Sequence, residues 1–170
     1  MSSQRGDVEQ EQLIAELARE QVERVAPQEL PLYRATSKAY FENPEKMVEG
    51  QQDRMLGFGV EIGVAFLTPV VLSVTTEVFK FLANEVSKSV AAESAGVLHD
   101  LVKKMFKRFR PRGPSEAGQT PPPLTFEQVT QVRRLAFDKA RQLNVPEAQA
   151  GLLADSLIGS LVTAGNPRLA

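Results

Sequence analysis

The sequence has no cysteine, no tryptophan and a single histidine, His99. Without cysteine there is no disulfide framework, no thiolate nucleophile and no sulfur ligand for a metal. His99 precedes Asp100 on a helical pattern, where neighbouring residues point about 100° apart and do not form a dyad. No HExxH pair, Walker-type glycine loop or GxSxG elbow occurs. Carboxylates at helical spacing, Glu16 with Glu20 and Glu42 with Glu45, have no histidine or cysteine near them in sequence and read as solvated faces. These absences predict a chain that is not an enzyme and has no catalytic residue, cofactor or metal ligand set.

Charge of one sign is also missing. The net charge of −1 is the balance of −4 over residues 1–54, +2 over 55–123 and +1 over 124–170. No domain-wide basic field points to nucleic acid, which is excluded from the expected partners. The N-terminus, MSSQRGDVEQEQ, is polar and acidic, so neither a secretory leader nor N-myristoylation is expected and synthesis into the cytoplasm is.

What the chain does have is one run out of place in a water-soluble protein, Met55 to Thr76, MLGFGVEIGVAFLTPVVLSVTT. Fifteen uncharged residues separate Glu61 from Glu77, and counting back to Met55 extends the apolar character to twenty-two. As helix these reach about 22 Å and about 33 Å, against a hydrocarbon core of about 30 Å. Eleven strongly apolar residues, among them Leu56, Phe58, Phe66, Leu67, Val70, Val71 and Leu72, favour insertion by about 3 to 7 kcal/mol. Glu61 opposes it by up to about 3 kcal/mol, and Pro69 removes a backbone donor. The run is poised between a conditional membrane element, with those seven residues in lipid, and a buried core helix. Gly57, Gly59 and Gly63 do not have dinucleotide-binding spacing. Gly59 and Gly63 lie one helical turn apart and make a smooth face for a second helix, beside which Glu61 would need a partner or a water-filled path.

On either side the pattern is helical throughout. Residues 8–25 carry Leu13, Leu17, Ala18, Gln21 and Val25 on one stripe, and the helix should stop near Pro27. A short helix with Pro31 in its first turn gathers Leu32, Tyr33, Ala35, Ala39, Tyr40 and Phe41, and Asn43-Pro44 opens the next. After the run, periodicity continues from Glu77 to Phe109, weakest between Ser87 and Gly96, as one long helix or a hairpin. It ends in KKMFKRFRPR, where Lys103, Lys104, Lys107, Arg108, Arg110 and Arg112 suit a helix C-terminus or an anionic membrane surface. Residues 111–123 hold five prolines and two glycines and read as a linker.

The clearest local grammar comes last. Thr125 and Gln128 form a capping box, Leu124 and Val129 occupy staple positions, and Val129, Val132, Ala136, Ala140 and Leu143 face inward. Asn144 suits the helix stop and Pro146 the start of the next helix, making an antiparallel hairpin. Leu152, Leu153, Leu157, Ile158, Leu161 and Val162 form a wider apolar face than one partner helix covers. The hairpin should therefore dock on the N-terminal helices or on another copy, with Leu153, Leu157, Ile158 and Leu161 as the self-association surface.

The strings APQELPLYRATSKAYFENPEK, LTFEQV and PEAQAGLLADSLIGSLV resemble short α-helical proteins of actinobacterial type, and the resemblance implies no activity and no functional residue. The fold expected is all-α: amphipathic helices over 1–54, a central hydrophobic helix and basic amphipathic helix over 55–110, the linker, and a helical hairpin over 124–166. Two functions are compatible with it. One is a self-associating membrane protein, an anchor or an inserting effector, peripheral or single-pass at the inner membrane. The other is a soluble oligomeric scaffold with residues 55–76 as its core. In both a homo-oligomer is expected, with a protein partner open to the N-terminal helices.

Overall fold

A computed structural model describes residues 2–56, 67–89 and 124–165. The chain is all-α, and the described residues form six α-helices and one 3-10 turn without a strand: α1 (Ser2–Val25), the turn Pro27–Glu29, α2 (Leu30–Glu42), α3 (Pro44–Leu56), α4 (Thr68–Ser89), α5 (Phe126–Gln142) and α6 (Glu147–Gly165).

Local chemistry sets most of the boundaries. Pro27 cannot continue α1, so Ala26 leaves helical geometry (φ −151°, ψ 57°) and the turn reorients the chain. Pro31 then falls in the first turn of α2, where its missing N–H costs nothing. Asn43 closes α2, and its Oδ1 accepts from the Lys46 N–H to cap α3 at 3.2 Å. The capping box of α5 is complete, with Gln128 N–H donating to Thr125 Oγ1 at 3.2 Å and Thr125 N–H to Gln128 Oε1 at 3.0 Å. At its other end Asn144 takes φ 63°. The Asn144 N–H then reaches Arg141 O at 3.0 Å and the Val145 N–H reaches Ala140 O at 3.1 Å. This is a Schellman ending with asparagine in the left-handed position.

Packing follows a ring. α1 lies against α4, α4 against α5, α5 against α6, and α6 returns to α1, while α2 and α3 cover another side of α4. α4 is thus the central element, touching α1, α2, α3 and α5. Thr68 through Leu72 are all buried, as are Val74, Thr75, Val78, Phe79 and Leu82. One continuous core draws on α1, α2, α4, α5 and α6, with Met47 and Val48 of α3 packed at its edge. The buried stripe of α1 is centred on Ile14, Leu17, Ala18, Gln21 and Val22, with Leu13 and Val25 half-buried at its margins. It is turned from the expected stripe because α1 faces several elements, α4, α6 and α2 with the turn before it, rather than one helix.

The expectation of a single apolar helix over Met55–Thr76 is corrected. Leu67 is not helical, and α4 begins at Thr68 with Pro69 in its first turn, while residues 57–66 lie outside the described residues. A proline ring inside a helix clashes with the carbonyl four residues earlier, so α4 starts at the proline instead of running through it. No helix of the described residues is long and apolar enough to cross a membrane.

Candidate functional site

The start of α4 is held by an acid from elsewhere in the chain. Glu29 is 2% exposed. Its carboxylate accepts from the Leu67 N–H at 2.7 Å, the Thr68 N–H at 2.8 Å and the Thr68 hydroxyl at 2.6 Å. The first N–H groups of a helix have no partner of their own, and the N-terminus carries about half a positive charge from the aligned peptide dipoles. Leu67, at the cap position, has no side chain to serve them. Glu29 supplies the cap across 39 residues of sequence and neutralises a buried set of donors with one group.

A second polar contact ties the ends of the ring. Gln21, fully buried on α1, donates from Nε2 to Ser160 Oγ of α6 at 2.9 Å. Arg24, one turn on, donates to Ser160 Oγ at 2.7 Å and to the Ser156 carbonyl at 3.1 Å, and is bridged to Glu20 at 3.0 Å. Gln21 Oε1 and Thr75 Oγ1 are buried with no hydrogen-bonding partner among the described residues. Each such orphan costs about 1 to 3 kcal/mol, so the Gln21 contact between α1 and α6 comes at the expense of stability. Tyr33 of α2 is buried, and its hydroxyl donates to the Ala15 carbonyl of α1. Burial raises its pKa well above the ordinary phenol value, against a smaller lowering by the Arg19 charge.

The third feature is the outer face of α6. Leu153, Ala154, Leu157, Ser160 and Leu161 point into the core, while Leu152 (64% exposed) and Val162 (46%) point out. Asp155, between them, is held by Arg133 Nε of α5 at 2.6 Å, and both side chains are exposed. That ion pair raises the Arg133 pKa, chiefly through the hydrogen bond to Asp155.

The residues expected to insert in lipid are distributed otherwise. Val70, Val71 and Leu72 are at most 1% exposed in the core, and Leu67 is half-buried against it. Leu56 ends α3, while Phe58 and Phe66 lie outside the described residues, as do Gly59, Glu61 and Gly63. So do His99 and the basic set Lys103, Lys104, Lys107, Arg108, Arg110 and Arg112. Of the surface expected to self-associate, Leu153, Leu157 and Leu161 are buried under α1 and α5 and Ile158 is half-buried, so they are not free for a second copy while the ring is closed. The α6 leucines therefore take the first expected course, docking on an N-terminal helix.

Glu29 was not legible as a site, because its partners are remote in sequence and its own neighbourhood, PQELP, looks like a turn. Gln21 did carry a signal: a polar residue on an apolar stripe. Among the described residues no group of acids and histidine is arranged to hold a metal ion. No protein-family model, no curated protein and no solved structure matches the chain.

Proposed function

We propose that this chain is a non-enzymatic, cytoplasmic helical scaffold that works through contacts with protein surfaces, its apolar run serving as a structural core. The observation that carries this reading is the complete burial of Val70, Val71, Leu72 and Val74 in α4, enclosed by four neighbouring helices and anchored by Glu29. A membrane element waiting to insert would have to break that enclosure first. Peripheral contact of the Lys103–Arg112 segment with an anionic membrane is compatible with a scaffold and would be sensitive to salt.

Two measurements on the full chain test the reading. Val71→Arg places an unpaired charge at a position with no exposure, at a cost of about 3 to 5 kcal/mol against a typical total of about 5 to 15. The variant should lose its cooperative urea transition or precipitate. A folded Val71→Arg protein that has merely lost lipid binding would sink the scaffold and restore the inserting element. The unmodified chain should stay in the aqueous fraction when floated with anionic vesicles at high salt, and salt-resistant flotation would count against the proposal.

A further inference from the structure

We draw no further inference here: the strongest candidate, the outer apolar face of α6 around Leu152 and Val162, carries none, because nothing among the described residues shows what covers it.

Discussion

Glu29 does at one point what most helices arrange locally. Its carboxylate meets two backbone donors and a hydroxyl at the head of α4, all away from water. Truncation would orphan all three, because Leu67 offers no replacement acceptor. Glu29→Ala should therefore lower the unfolding free energy by about 3 kcal/mol, beyond an ordinary surface cap at about 1. Glu29→Gln keeps one acceptor but turns an amide donor toward donors, and should lose about 2 kcal/mol. Urea titration of both variants measures the difference, and a loss under about 0.5 kcal/mol for the alanine variant would mean the cap is not holding α4. Thr68 accompanies Glu29 in burial, so the anchor is a matched pair and not a stray acid in a core.

Among the elements, α5 shows how far local chemistry reaches. Its capping box and its asparagine stop both form as their residue types dictate, because every partner lies within five positions. Asn144 holds φ 63°, which asparagine tolerates, glycine prefers and a β-branched residue resists. Asn144→Gly should therefore stay within about 0.5 kcal/mol of the parent, whereas Asn144→Val should cost about 1 to 2 kcal/mol. Thermal unfolding of the pair decides it, and equal loss in both would place the contribution of Asn144 in its side chain instead of its backbone. α4 marks the limit of the same reasoning. Apolar character alone made Met55–Thr76 one segment, and Pro69, though visible, has two legitimate places: as a kink within a helix or in its first turn. The steric cost of a proline inside a helix favours the second, and Glu29, brought in by the tertiary fold, meets the N–H groups that this start leaves open. The stripe of α1 was legible in outline but rotated, since periodicity tells that a face is buried and not how many helices share it.

For the molecule as a whole, the all-α class and the closing hairpin were legible, and the ring order was not. Sequence gives no term for α1 lying between α4 and α6, a placement carried by Gln21 to Ser160 and Arg24 to Ser156. The ring implies that the N-terminal and C-terminal helices do not form separate units. A chain stopped at residue 123 would bare the side of α4 that meets α5 and the side of α1 that meets α6. Such a truncation should show no cooperative urea transition and should aggregate, and a monomeric, cooperatively folded fragment 1–123 would contradict the shared core. The ring also orders events in time. Gln21 and Ser160 are 139 residues apart, so at about 5 to 20 residues per second roughly 7 to 28 s of translation separate them. During that interval the inner stripe of α1 has no α6 to lie against, so the apolar residues it shares with α6 stay without that cover. A buried glutamine on that stripe makes the wait safer than an all-leucine face would.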